Sequence, residues 1–124
     1  LKEIDQVVVN VDKDRIKQVL INLIGNAINY TPQNGMVNLW LEKKDIEVKI
    51  YIEDNGPGIP KKDLLNIFER FFRGERSRTR SKGSGYGLGL SIADRIIKAH
   101  QGRIDVFSTV GKGTTFVVIL PVLN

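Results

Sequence analysis

The alternation of apolar and polar residues predicts two long helices and several strands. Apolar residues recur every three or four positions from Ile16 to Ala27, which predicts a helix that ends at Thr31-Pro32. The same spacing predicts a second helix from Leu88 to His100, followed by Gly102 at the position where helices often stop. A short helical stretch is predicted over residues 61–69.

Period-two alternation predicts the strands. Residues 37–41 and 46–53 alternate between apolar and polar side chains, with residues 43–45 as a polar hairpin. Residues 104–106 and 115–120 form a second pair around the turn at 111–113, and a short strand over residues 7–11 precedes the first helix. Strands that follow one another directly predict an α+β fold, a two-layer α/β sandwich with a mixed, mostly antiparallel sheet and helices on one face.

Composition excludes several classes of protein and several kinds of metal site. The 124 residues fit one domain, residues 1–124, and the first residue is Leu, so we expect a piece of a longer protein. The chain has no cysteine and one histidine, which excludes disulfide scaffolds and cysteine- or histidine-rich metal sites. No apolar run approaches the roughly 20 residues of a membrane span. Residues 70–82 hold six basic residues and one acidic residue, which accounts for the net charge of +5.

A polar stripe accompanies the apolar face of the first predicted helix. Gln18, Asn22, Asn26 and Tyr30 are four apart and therefore share one face. Asparagine is an unfavourable residue in a helix interior, and its amide oxygen suits Mg²⁺, which binds oxygen ligands. A magnesium site is one hypothesis; a solvated polar face, or hydrogen bonds between neighbours, is the alternative.

Asp54 begins a loop at the end of a predicted strand. The glycines that follow, Gly56 and Gly58, let a backbone pass close to a ligand. A carboxylate only accepts hydrogen bonds, so Asp54 there would recognise an amino group such as that of adenine. An ordinary turn is the alternative, because Asp, Asn, Gly and Pro are the common turn residues.

A glycine-rich segment, residues 83–90, runs directly into the second helix. Free backbone amides and the positive helix end favour a phosphate site there. The segment contains neither G-x-G-x-x-G nor a Walker A motif. The arginine-rich residues 70–82 before it would act as a lid on the phosphates. A flexible linker and a solvated charge run are the alternatives.

Five segments together resemble one family. Residues 18–32 (QVLINLIGNAINYTP), 54–60 (DNGPGIP), 67–73 (IFERFFR), 85–90 (GYGLGL) and 111–116 (GKGTTF) occur in the order of the conserved boxes of bacterial sensor histidine kinases. The resemblance is to their catalytic, ATP-binding domain, in the group that includes DNA gyrase B, Hsp90 and MutL. It implies a Bergerat-type ATP-binding fold that binds Mg·ATP and supplies the γ-phosphoryl group to a histidine.

The resemblance also implies roles for single residues. Asn22 and Asn26 would reach the phosphates, with Asn26 on Mg²⁺, and Arg73 would reach the terminal phosphate, so these three form the implied catalytic set. Asp54 would accept from the adenine amino group. The remaining implied nucleotide contacts are Tyr30, Gly56, Gly58, Lys82, Gly85, Tyr86, Gly87, Leu88, Gly89 and Thr115. Two positions depart from the family: Asn29 replaces a lysine, and Tyr86 replaces a serine or threonine.

The resemblance further implies partners that the chain lacks. The family's phosphoacceptor histidine lies on a separate dimerising helical hairpin, and His100 is in the wrong segment to replace it. We therefore expect a monomer that does not phosphorylate itself, that acts upstream of a response regulator and that forms the cytoplasmic part of a membrane-bound sensor. An ATPase or a serine/threonine kinase of the same group is the alternative. A nucleic-acid-binding module ranks last, since the helices lack a basic face.

Overall fold

The computed structural model describes residues 11–69 and 89–122. The predicted strand over residues 7–11 lies outside these residues except for Val11, which is not in a strand, and the segment 70–88 lies outside them entirely. The described elements, in chain order, are α1 (Lys13–Tyr30), β1 (Val37–Lys44), β2 (Glu47–Asp54), α2 (Lys61–Leu64), α3 (Gly89–Ala99), β3 (Arg103–Thr109) and β4 (Gly113–Pro121).

The four strands form one sheet in the order β1-β2-β4-β3, and each of these neighbouring pairs is antiparallel. Helices α1 and α3 pack on each other and on the sheet. Leu23, Ile97, Ile52 and Phe116 are fully buried between the two layers. The predicted α+β sandwich is therefore confirmed.

Helix α1 begins and ends where the sequence predicts. The side chain of Asp12 accepts hydrogen bonds from the backbone N–H groups of Asp14 and Arg15, which caps the first turn. At the other end Thr31 is extended, as the residue before a proline prefers, and its hydroxyl donates to Ala27 O at 2.6 Å.

The end of α3 differs from the prediction for Gly102. The residue in the left-handed conformation is Gln101, with φ of 61°, and not the glycine. Gly102 is needed for another reason, because a Cβ there would lie 2.2 Å from Ile119 O on strand β4. The glycine thus permits close contact between the helix end and the sheet.

Two shorter predictions also need correction. The helix predicted over residues 61–69 covers only Lys61–Leu64, and the chain continues as successive turns to Glu69. The β1–β2 hairpin is tighter than predicted: Lys44 pairs with Glu47, so the loop is residues 45–46.

Trp40 lies on the face of the sheet opposite the helices, as its place in a strand predicts. Its ring stacks on that of Tyr51, its cross-strand partner, with centroids 4.7 Å apart and planes within 5°. This pair covers part of the face that the described helices leave open.

Replacing Gly113 with alanine is expected to lower the free energy of unfolding by about 2–4 kcal/mol. Gly113 has φ of 137°, and a Cβ there would lie 2.0 Å from Asp54 O. Gly25→Ala is the matched control, since Gly25 lies inside α1 with nothing within 4 Å of its Cβ position. That change is expected to raise the free energy of unfolding by about 0.5–1 kcal/mol. Urea denaturation measures both, and equal effects would contradict this explanation.

Candidate functional site

Asp54 is a buried carboxylate at the end of β2. It is 4% exposed, and its Oδ1 accepts a hydrogen bond from Gly56 N at 2.8 Å. Its cross-strand partner on β4 is Thr114, and both residues lie on the face of the sheet that the helices cover, in line with buried Ile52 and Phe116. Asp54 is therefore presented towards the helix layer.

Thr115, predicted to lie near the adenine, lies on the opposite face of the sheet, where it pairs with Glu53. The threonine beside Asp54 is Thr114, which is 2% exposed. The sequence carried a signal for this, because Thr114 is two residues before Phe116 and strand side chains on one face recur at every second position. The structure thus places Thr114, and not Thr115, beside Asp54, while the nucleotide contact of Thr115 stays a prediction.

Ser108 lies near the end of β3 and connects that strand to residues 55–60, the loop that follows Asp54 and is called the Asp54 loop below. Its hydroxyl oxygen accepts from Ile59 N at 2.7 Å, lies 2.8 Å from Thr114 Oγ1 and donates to Gly113 O at 3.0 Å. These contacts use the one donor and two acceptor positions of a hydroxyl group if Thr114 donates. Sequence reasoning missed both Ser108 and Thr114 as residues that hold the Asp54 loop in place.

The glycines of the Asp54 loop pack against protein backbone. A Cβ on Gly56 would lie 2.6 Å from Tyr30 O, and one on Gly58, whose φ is 79°, would lie 2.3 Å from Thr109 O. Gly111 N also donates to Pro57 O at 2.8 Å. The loop is thereby fixed between the end of α1 and the β3–β4 turn. These contacts position Asp54, so the expected direct contact of Gly56 and Gly58 with a nucleotide stays a prediction.

The side-chain oxygen of Asn26 has no hydrogen-bond partner among the described residues, although it is buried. The residue is 5% exposed. A buried, unsatisfied polar atom costs about 1–3 kcal/mol, and native proteins contain few of them. For Asn26 this excludes a solvated face, and Oδ1 accepts no hydrogen bond from a described neighbour. The amide oxygen fits Mg²⁺, a cation that binds oxygen ligands and keeps several waters.

Asn22 lies one turn earlier, beside the start of α3. Its Nδ2 donates to Gly89 O at 3.4 Å, and its Cγ is 3.9 Å from the Cβ position of Gly89. Gly89 is the first residue of α3, whose N-terminal amides and helix dipole favour anions. The structure therefore brings together Asn22 and Gly89, which the sequence assigned to the phosphate end of the site.

Helix α1 sets the order of these groups. Asn22, Asn26 and Tyr30 follow one another at one-turn intervals, over about 12 Å from first to last. The first is beside Gly89, the second carries the unsatisfied oxygen, and the buried third meets the Asp54 loop at Gly56. A helix end suited to anions, an oxygen suited to a metal ion and a carboxylate that can accept from an amino group thus lie in the order of the parts of an extended nucleoside triphosphate.

Some predicted residues cannot be placed in this arrangement. Arg73, Lys82, Gly85, Tyr86, Gly87 and Leu88 lie outside the described residues. Within residues 11–69 and 89–122, no cluster of three or more histidine, cysteine or acidic side chains is positioned to hold a metal. A magnesium ion at Asn26 would therefore depend on phosphate and water oxygens for its other ligands. The helices of the described part are also too short or too polar to cross a membrane.

Comparison with known sequences gives a consistent result. Residues 11–124 match the model of the histidine kinase-, DNA gyrase B- and HSP90-like ATPases. The sensor histidine kinase YclK of Bacillus subtilis is 44% identical over 119 residues, which cover 94% of this chain and 24% of YclK. The chain thus spans about a quarter of the length of this relative.

Solved structures show the same architecture. The mycobacterial sensor histidine kinase MprB superposes with a TM-score of 0.82 at 32% identity, over 92% of this chain and 76% of that structure. Full-length ShkA, solved in complex with AMPPNP, superposes with a TM-score of 0.80 at 30% identity, over 96% of this chain and 24% of ShkA.

Proposed function

We propose that this chain, which belongs to the histidine kinase-, DNA gyrase B- and HSP90-like ATPase family, binds Mg·ATP and transfers the γ-phosphoryl group to a histidine on a separate domain. The chain corresponds to the catalytic domain of sensor histidine kinases. The observation that supports this most directly is the unsatisfied oxygen of Asn26, between the Asp54 carboxylate and the start of α3. The ATP analogue AMPPNP in the similar ShkA structure agrees with this choice of nucleotide.

Each end of the proposed site has its own task. Asp54, fixed by Gly56 N, accepts from the adenine amino group and sets the position of the base. The first amides of α3 and Asn22 face the phosphates at the other end. Phosphoryl transfer is catalysed mainly by positioning and charge neutralisation, and a metal at Asn26 would supply positive charge beside the phosphates. Arg73 and Lys82 stay predicted phosphate contacts.

The partners follow from the same proposal. The phosphoacceptor would lie on a histidine-containing dimerisation domain of the full-length protein, and a response regulator would receive the phosphoryl group. We propose that this domain is cytoplasmic in a membrane-bound sensor and that it is a monomer in isolation. The proposed site binds a single nucleotide, so nucleic acid is not a proposed partner.

Phosphate transfer to a separate domain tests this proposal. The chain is incubated with Mg²⁺, γ-labelled ATP and the dimerisation domain of YclK, whose matching segment is 44% identical. We expect label on the added domain that is stable in alkali and labile in acid, as for phosphohistidine, and no label on this chain alone. A dimerisation domain with its histidine replaced by alanine is the control and should stay unlabelled.

The same experiment decides between the proposal and its alternative. Steady ATP hydrolysis without an acceptor domain would favour an ATPase of the wider group. Acid-stable label on a serine or threonine would favour a protein serine/threonine kinase. Either result, with no label on histidine, would overturn the proposed function.

A further inference from the structure

His100, outside the site described above, connects the end of α3 to the start of α1. Its Nε2 accepts a hydrogen bond from Asp12 N at 3.0 Å, and its Nδ1 lies 2.8 Å from Ile96 O. A carbonyl oxygen only accepts, so Nδ1 carries a hydrogen, whereas Nε2 accepts from Asp12 and carries none. The two contacts together require a neutral imidazole in one tautomer.

A second hydrogen bond joins the same two helices at their other meeting point, where Asn22 Nδ2 donates to Gly89 O. Helix α1 takes about 15 Å to run from Asp12 to Asn22, and α3 takes about 16 Å to run from Gly89 to His100. The His100 contact pairs the start of α1 with the end of α3, so the two helices are antiparallel. The segments between the two hydrogen bonds have nearly equal lengths on the two helices. These ties oppose sliding of α1 along α3.

We propose that neutral His100 is a positioning residue for the nucleotide site: it holds α1 in register with α3. Helix α1 carries Asn22 and Asn26, whereas Gly89 begins α3. A slip of α1 would change the distance between the Asn26 oxygen and the amides at the start of α3. The effect on nucleotide binding rests on the proposed function, but the contact between the helices does not.

The test compares the wild type with His100→Ala and His100→Gln in ATP titrations with Mg²⁺ at pH 8. We expect His100→Ala to bind about three- to tenfold more weakly, as one lost hydrogen bond predicts. The glutamine variant, whose side-chain oxygen can still accept from Asp12 N, should bind like the wild type.

A second measurement does not depend on the nucleotide. In ¹⁵N-labelled wild type at pH 8, Nε2 should show the chemical shift of an unprotonated ring nitrogen. The Asp12 amide resonance should move in His100→Ala and stay near its wild-type position in His100→Gln. Equal binding by wild type and alanine variant would overturn the proposal. A glutamine variant that behaves like the alanine variant would overturn the role of the acceptor. If the wild type binds no ATP, the proposed function fails, and the Nε2 and Asp12 resonances still decide whether the contact exists.

Discussion

Asp54→Asn is expected to weaken ATP binding by about 30-fold or more. The carboxylate of Asp54 is a buried, charged acceptor for the adenine amino group, and removing one partner of such a hydrogen bond costs about 2–5 kcal/mol. The change is nearly isosteric, and the amide oxygen can still accept from Gly56 N, so the loop should keep its shape. What it removes is the second acceptor. The amide group instead offers a donor to the adenine amino group, which is itself a donor.

Inosine triphosphate, which has a carbonyl oxygen where ATP has the amino group, makes this test sharper. The wild type should prefer ATP, and Asp54→Asn should lose or reverse that preference in calorimetric titrations. Glu53→Gln is the matched control, because Glu53 is the neighbouring carboxylate on the opposite face of the same strand. An unchanged preference for ATP in Asp54→Asn would show that Asp54 does not bind the base.

Asn26→Leu is expected to make the domain more stable and its binding of ATP weaker. Leucine branches at the same carbon as asparagine but has no polar atom, so it removes the unsatisfied oxygen. We expect the free energy of unfolding without nucleotide to rise by about 1 kcal/mol. The affinity for ATP in Mg²⁺ should fall about tenfold or more, since even residues that only support a metal ligand contribute this much. The domain would thus be more stable and less active, as is common where a strained or unsatisfied group serves function.

Thermal unfolding without nucleotide and titration of ATP at several Mg²⁺ concentrations measure the two effects. In the variant, ATP affinity should become nearly independent of Mg²⁺ concentration. Asn38→Ala is the control, because Asn38 lies on the open face of β1 and donates to Glu53. A variant that is less stable and still binds Mg·ATP with the wild-type affinity would contradict the assignment of Asn26.

The main elements of the fold were predictable because they depend on local patterns. The three-to-four spacing between Ile16 and Ala27 and the alternation over residues 37–41 are properties of consecutive residues, and the structure confirms both. The errors occur where distant segments meet. Gly102 follows α3 at a position where helices often stop, but its lack of a side chain is required by Ile119 on another strand.

The same limit applies to the site. Asp54, Asn26 and Asn22 were identified as chemical candidates, but their burial and order along α1 come from packing. The position of Thr114 beside Asp54 could not be read from the sequence alone, because the side chain next to Asp54 depends on the pairing of β2 with β4. The contact between His100 and Asp12 joins residues 88 positions apart, and no local pattern signals it.

Since a single helix links both ends of the proposed site, α1 also determines where the chain can change length. One residue inserted between Asn22 and Tyr30 would rotate everything beyond it by about 100° around the helix axis and turn either the Asn26 oxygen or the Asn22 amide away from the site. The hairpin at residues 45–46 has no such constraint, because it lies at the opposite end of strand β2 from Asp54. Insertions, fused peptides and labels are therefore tolerated at that hairpin and excluded from the middle of α1.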